Sequence, residues 1–285
     1  MKLTFYTPSH GVMENFGAAT FGFVGAEDEN ACRAVDFSRD IRGVLLTGSY
    51  EECLRHIPAG NFKAGIVVLG NAGGENAFIH HLYQAVNVPL TGGGAAIHPQ
   101  TGEKGLITGR NEAAVFLIDD NRYTIEVLHE NIHHNILSEH DISFTDPRVI
   151  DTIDGVDART WLRDKKANLG LRETDFEHLT FSDTNGVNVH LSLAEGRIAS
   201  GRDLAPRMQL RYVPATKVNE RMQAFYNDAD AITFGCAGLK GILTNNLHTN
   251  GLGLFLFGEV CTTEHGAEFG NLMLSKLRVL PNDKQ

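Results

Sequence analysis

Apolar and polar positions alternate along this chain in blocks that predict short buried strands, each followed by a glycine turn and a helix. Gly43-Val44-Leu45-Leu46-Thr47-Gly48 is an apolar run bounded by glycines and predicts a strand. Ser49 then predicts an N-cap, with Glu51 and Glu52 in the first turn of a helix that reaches about His56 and stops at Pro58-Ala59-Gly60. Gly65 to Gly70 is continuously apolar, as expected of a central strand covered on both faces. After the turn Asn71-Ala72-Gly73-Gly74, apolar residues at helical spacing (Phe78, Leu82, Ala85, Val86) predict a helix from Glu75 to Val86. Val88 to Gly94, Ala113 to Ile118 and Tyr123 to Leu128 complete a set of strands, the last alternating as a half-buried one.

The second half repeats this plan. Ala231 to Gly235 reads as a strand, Cys236-Ala237-Gly238 as a turn, Ile242 to Asn250 as a short helix and Leu254 to Val260 as a strand. Asn271 to Leu277 is a further strand. Laid side by side without gaps, Gly70-Asn71-Ala72-Gly73 falls on Gly235-Cys236-Ala237-Gly238, Leu82 on Leu247 and Gly93 on Gly258. A short glycine match alone is weak, but the same strand, turn, helix and strand around it points to an internal duplication. The expected fold class is α/β, with α+β as the other arrangement the pattern allows: duplicated strand–turn–helix–strand modules with mixed sheets. The modules are placed at residues 1–145 and 146–285. Between them, Ile153 to Leu162 reads as a turn and a helix, and Asn185-Gly186 as a hairpin turn between Leu179-Thr180-Phe181 and Val187 to Leu191. The first forty residues show no clean period.

Composition narrows the class of partner. A formal net charge of −10 with no Lys/Arg run argues against nucleic acid or an anionic membrane as the main partner. No stretch approaches the ~20 apolar residues of a membrane span, and Met1 to Phe5 lacks the apolar core of a signal peptide. Cys32, Cys53, Cys236 and Cys261 are far apart, which argues against a disulfide framework and for a reducing, cytoplasmic setting.

Several segments together resemble the FIST sensory family, whose members carry an N-terminal and a C-terminal FIST module in series. The resemblance spans roughly Arg42 to Val279. It rests on Pro89-Leu90-Thr91-Gly92-Gly93-Gly94-Ala95, Ile153-Asp154-Gly155-Val156-Asp157-Ala158, Phe234-Gly235-Cys236-Ala237-Gly238, and Gly258-Glu259-Val260 through Gly270-Asn271. Leu239 stands where many members carry arginine. The resemblance implies intracellular sensing of a small molecule, an amino acid or other small anion, with signal output through a separate signalling protein. The family also includes haem-binding sensors. A homo-oligomer remains open.

Candidate chemistry lies mostly at the glycine turns. Asn71 and Gly73 belong to a backbone nest at a helix start, suited to a carboxylate or phosphate, although neither G-x-G-x-x-G nor G-K-[ST] is present. Cys236 occupies the matching turn, where a helix start could lower a thiol's pKa; a buried, inert cysteine is the plainer expectation. Gly93 and Gly94 allow close backbone approach, and Glu259 is the one acid in its apolar run, either solvated or a pocket acid. His98 and His265 lie in the equivalent following loops. His129-Glu130-Asn131-Ile132-His133 is a formal H-E-x-x-H, which on a helix would bring His129 and His133 to a divalent metal or to haem, with His134, Glu139 or His140 nearby. The preceding run alternates like a strand, so a polar loop is the plainer reading. The halves differ where chemistry would sit, Asn71 against Cys236 and Gly94 against Glu259. The expectation is one specialised ligand pocket on a duplicated scaffold, in a binding or sensing protein. The alternatives are an enzyme using Cys236, Glu259 and histidines in the same pocket, and a haem or metal sensor.

Overall fold

The structure, a computed structural model, describes residues 2–8, 19–20, 22–23, 32–70, 73–97, 112–243, 247 and 250–282. In chain order the elements begin with β1 (Lys2–Pro8), β2 (Ala19–Thr20), β3 (Gly22–Phe23) and β4 (Cys32–Asp40). A first unit follows: β5 (Gly43–Ser49), α1 (Tyr50–Arg55), β6 (Ala64–Gly70), α2 (Glu75–Val86), β7 (Leu90–Ile97) and β8 (Glu112–Ile118). After β9 (Tyr123–Glu130) come β10 (Asn135–Ser143), β11 (Val149–Ile150), β12 (Thr152–Ile153), β13 (Val156–Asp157) and α3 (Ala158–Asn168). Next are β14 (Leu179–Ser182), β15 (Asn188–Val189), β16 (Leu191–Ala194), β17 (Arg197–Ser200) and β18 (Arg207–Tyr212). The chain closes with α4 (Ala215–Tyr226), β19 (Ala231–Cys236), α5 (Ala237–Lys240), β20 (Leu252–Leu256), β21 (Glu259–Thr263), β22 (Gly266–Gly270) and β23 (Leu274–Pro281).

The local signals act as the sequence predicts. Ser49 accepts from the Glu52 amide while the Glu52 side chain accepts from the Ser49 amide, a reciprocal capping box that starts α1. α2 covers the expected residues and presents Phe78, Ile79 and Leu82 to the core. The last strands depart from expectation. The apolar run from Leu254 to Val260 is two strands, because Gly258 takes φ +85° and turns the chain; a Cβ there would meet the Phe269 ring at 2.4 Å. The expected helix over Ile242–Asn250 instead begins at Ala237 and ends at Lys240, and residues 244–246 and 248–249 lie outside the described residues.

The fold is α/β with mixed sheets, and the duplication is visible in strand order. β5-β8-β6-β7 and β9-β23-β19-β20 run in the same sequence of positions. In each, the outer strand is antiparallel to the next, that one antiparallel to the third, and the third parallel to the fourth. The repeat therefore divides at Asp119-Asp120-Asn121, where the first unit ends and β9 opens the second. Residues between β9 and α4 are an insertion with its own sheets, β13-β12-β10-β18-β14-β15 and β11-β17-β16, and its own core of residues such as Leu162, Phe181 and Leu210. The sheets thus cross the 145/146 boundary: β9 belongs with β23, and β21 pairs with β7.

Side-chain alternation builds the layers. Ala64, Ile66, Phe116 and Ile118 of one sheet meet Ile232, Phe234, Leu254, Leu256 and Leu277 of the other. The opposite faces carry the helices: Val67, Leu69 and Val115 pack with α1 and α2, and Phe255 and Leu274 with α4 and α5. The result is a helix–sheet–sheet–helix stack. Each fully buried Leu, Ile or Phe in it contributes about 1.5–3 kcal/mol. Among the described residues no helix is long and apolar enough to cross a membrane.

Candidate functional site

Where the two units and the insertion meet, the structure holds a cavity of about 610 Å³. The first unit supplies Gly73 and Glu75, and the second supplies Cys236, Ala237, Gly238, Phe257, Gly258, Phe269 and Asn271. The insertion supplies Arg148, Glu177, His190 and Gly201. Gly73 and Gly238, which are paired when the two glycine turns are aligned in the sequence, therefore face one space.

Each turn is shaped by its backbone. Gly73 and Gly74 take φ +95° and +87°, a left-handed step that leads into α2 without a side-chain cap. The Glu75 side chain folds back so that its Oε1 accepts the Gly73 amide at 2.7 Å. Its Oε2 accepts from Arg148 Nη2 at 3.2 Å, and Arg148 Nε donates to Asp203 at 2.9 Å. This ion pair fastens the insertion to α2, and Glu75 is 3% exposed.

Cys236 ends β19, and its amide donates to the Met273 carbonyl at 3.3 Å. Burial, then the neighbouring Glu259, push its thiol up to about 12, against the pull of the Leu272, Gly238 and Gly258 amides. Glu259 lies behind it with no exposed surface. Its Oε2 accepts the Met273 amide at 3.2 Å, and the Cys236 thiol is close enough to feel its charge. Burial holds the Glu259 carboxyl well above the usual range despite the Met273 amide, and Oε1 has no partner.

His190 reaches the cavity from the insertion, its ring beside Gly238, where an added Cβ would stand 3.6 Å from Nε2. That nitrogen is 3.6 Å from Glu177 Oε1, too long for a hydrogen bond but close enough for electrostatic attraction. Burial acts to raise the Glu177 carboxyl, but His190, the Glu177 amide and His178 together outweigh it and leave Glu177 below its ordinary value and ionised. Asn271 fixes the neighbouring backbone by accepting the His190 amide at 3.2 Å.

The sequence-predicted residues divide accordingly. Gly73 and Cys236 line the cavity, and Glu259 supports it from behind. Gly93 and Gly94 do not line it but hold Gly258, which does: the Gly94 amide donates to the Gly258 carbonyl at 3.0 Å, and a Cβ on Gly93 would lie 2.0 Å from that oxygen. His265 is away from the cavity, exposed in the turn between β21 and β22 and 3.3 Å from Glu264. Asn71 and His98 lie outside the described residues.

The H-E-x-x-H segment is not helical. His129 is in β9, and its Nε2 accepts the Thr262 amide at 2.9 Å. His133 is fully buried; its Nε2 donates to the Glu177 carbonyl at 2.7 Å and its Nδ1 accepts from Asn188 at 3.2 Å. Burial lowers both imidazoles to about 4. His134 pairs with Glu130, and His140 with Ser138 and Asp154. These bonds occupy both nitrogens of His133 and the Nε2 of His129, and the Nδ1 of His129, which has no partner, is buried in a strand rather than set beside His133 on a helix face. Among the described residues no group of three or more His, Cys, Asp or Glu side chains is arranged to hold a metal.

Arg148, Glu177 and His190 were not legible as site residues. They stand on separate segments of the insertion, with no motif spacing, and converge through tertiary packing alone. Comparison with protein-family models gave no match, and comparison with curated proteins gave none either.

Proposed function

We propose that the protein binds a small molecule in this cavity, in the manner expected of a FIST-type sensor, and that the ligand is an amino acid with an apolar side chain. The observation that carries this reading is the convergence of both duplicated turns and the insertion on one cavity with separate charged and apolar walls. Its volume is within the range of small-ligand sites. Glu75 and Arg148 neutralise each other across one wall, and Glu177 leaves the lining with one acid more than its fixed base. A simple anion would meet that excess negative charge. An amino acid places its ammonium at Glu177, its carboxylate toward Arg148 and the α2 start, and its side chain against Phe257, Phe269 and Ala237.

Binding to the folded state raises the melting temperature with ligand excess. A thermal-shift panel of amino acids, set beside the same carboxylic acids without the amino group, tests the reading. Stabilisation by apolar amino acids and not by their deaminated counterparts is the expected result. A flat response across both sets contradicts it. Retention of the shift in Cys236→Ala separates ligand binding from an enzymatic use of the thiol, which at about 12 stays protonated at neutral pH.

A further inference from the structure

Away from the cavity, on the insertion, three side chains stand in a chain of hydrogen bonds. Ser138 Oγ is 2.5 Å from His140 Nε2, and His140 Nδ1 is 2.6 Å from Asp154 Oδ2. With the carboxylate accepting from Nδ1–H, Nε2 is left as the acceptor for the Ser138 hydroxyl proton. A serine is activated as a nucleophile by this connectivity, which is recognised by geometry and not by sequence order.

The surroundings hold the three groups in place. Ser138 and His140 are two apart on β10 and so project from one face. The register against β18 shifts between Ile136 and Ser138, a bulge that re-aims the strand at this point. Asp154 sits in the tight turn between β12 and β13 at φ +51°, a conformation few non-glycine residues adopt. It is kept there by two bonds to Asp141: its Oδ1 accepts the Asp141 amide at 3.0 Å, and its own amide donates to the Asp141 carbonyl at 2.9 Å. The His140 hydrogen bond, then the Asp141 amide, hold the Asp154 carboxyl below its ordinary value despite partial burial, so it is ionised. Trp161 packs its edge against the His140 ring at a centroid distance of 4.7 Å and limits its rotation. Ser138 and His140 are half-buried and the Asp154 side chain is 44% exposed, so the cluster lies at the edge of the insertion with partial access from solvent. The segment Ile153 to Ala158, one of the motifs singled out in the sequence, is what delivers Asp154.

From this geometry we propose that Ser138, His140 and Asp154 form a second, hydrolytic site that takes small acyl esters from solvent. The Ser138 oxygen bonds to the ester carbonyl carbon as His140 Nε2 takes the hydroxyl proton. The carbon–oxygen bond to the alcohol breaks, and His140 returns the proton to the departing alkoxide. Water then adds to the acyl-serine by the same route, releasing the acid and restoring the serine.

The full chain is treated with diisopropyl fluorophosphate, and the modified residue is mapped by mass spectrometry. The serine oxygen bonds phosphorus, fluoride leaves, and His140 carries the proton to solvent. One adduct at Ser138 is expected, with hydrolysis of p-nitrophenyl acetate lost in parallel. His140→Gln and Asp154→Asn should label at least about tenfold more slowly, while Ser138→Ala keeps the wild-type melting temperature and gains no adduct elsewhere. An unmodified Ser138 in the folded wild-type protein overturns the proposal. Labelling of His140→Gln at the wild-type rate does so as well, since the serine would then not depend on its base. Loss of melting temperature in His140→Gln without any wild-type adduct assigns the cluster a role in holding the β12–β13 turn instead.

Discussion

The Cys236 thiol and the Glu259 carboxyl are neighbours beneath the cavity, where burial pushes the thiol up to about 12 and holds the carboxyl well above its ordinary value. For Glu259 the folded state keeps its proton well above the unfolded pKa of about 4.3. Above that pH the unfolded chain binds fewer protons than the folded one, so stability falls as pH rises, by about 1.4 kcal/mol per unit until the folded pKa is reached. Glu259→Gln removes this dependence while preserving shape. Its melting temperature relative to wild type should rise as pH climbs above about 4.3; a constant difference would show that Glu259 is ionised when folded.

His129 and His133 act in the opposite direction. Their folded values of about 4 lie below the unfolded value near 6.5. Between those limits the unfolded chain binds more protons, so stability is present above about pH 6.5 and is lost as pH falls toward 4, by about 3 kcal/mol for each group. With Glu259 falling away on the alkaline side, these three groups together place a stability maximum near pH 6.5. Denaturant unfolding in the Glu259→Gln background should show the acid-side slope unopposed. No loss of stability between about pH 6.5 and about pH 4 would contradict the burial of both rings.

Thr91 and Ser275 hydrogen-bond hydroxyl to hydroxyl across the two sheets, and both are fully buried. Thr91→Val or Ser275→Ala alone strands a polar group in an apolar layer and should cost about 1–3 kcal/mol. The double variant should cost less than the sum of the two, as a double-mutant cycle by chemical denaturation would show.

Two glycines separate backbone freedom from close approach. Gly73 has a positive φ and open space around it, so Gly73→Ala should cost on the order of 1–3 kcal/mol from backbone strain alone. In Gly93→Ala the new Cβ would meet the Gly258 carbonyl, forcing β21 off β7, and the loss should reach about 4 kcal/mol or more. Equal losses for the two variants would remove the close-approach argument.

Much of the fold could be read in the sequence because it rests on local physics. The Ser49 cap, the apolar β6 run and the helical spacing of α2 each act within a few residues. The duplication was visible at Gly70–Gly73 and Gly235–Gly238 because both units need a glycine turn after the corresponding strand. Its true boundary was not, since β9 is separated from the rest of its unit by the insertion, and strand pairing across such a gap has no local signature. The break at Gly258 was hidden in an apolar run, where periodicity alone does not mark a turn. At the site, Cys236 and Glu259 stood out as unusual residues in apolar strands. Arg148, Glu177 and His190 did not, because a polar residue in a polar loop carries no sign of the partner it will meet.

In the proposed complex the cavity takes an amino acid through its ammonium and apolar side chain. Isothermal titration calorimetry of the wild-type protein and of Glu177→Gln against the amino acids that raise the melting temperature tests it most directly. Saturable one-site binding to wild type is expected, weakened about tenfold or more in Glu177→Gln, with the deaminated acids silent. Equal affinity for an amino acid and its deaminated counterpart, or binding unchanged by Glu177→Gln, would contradict it.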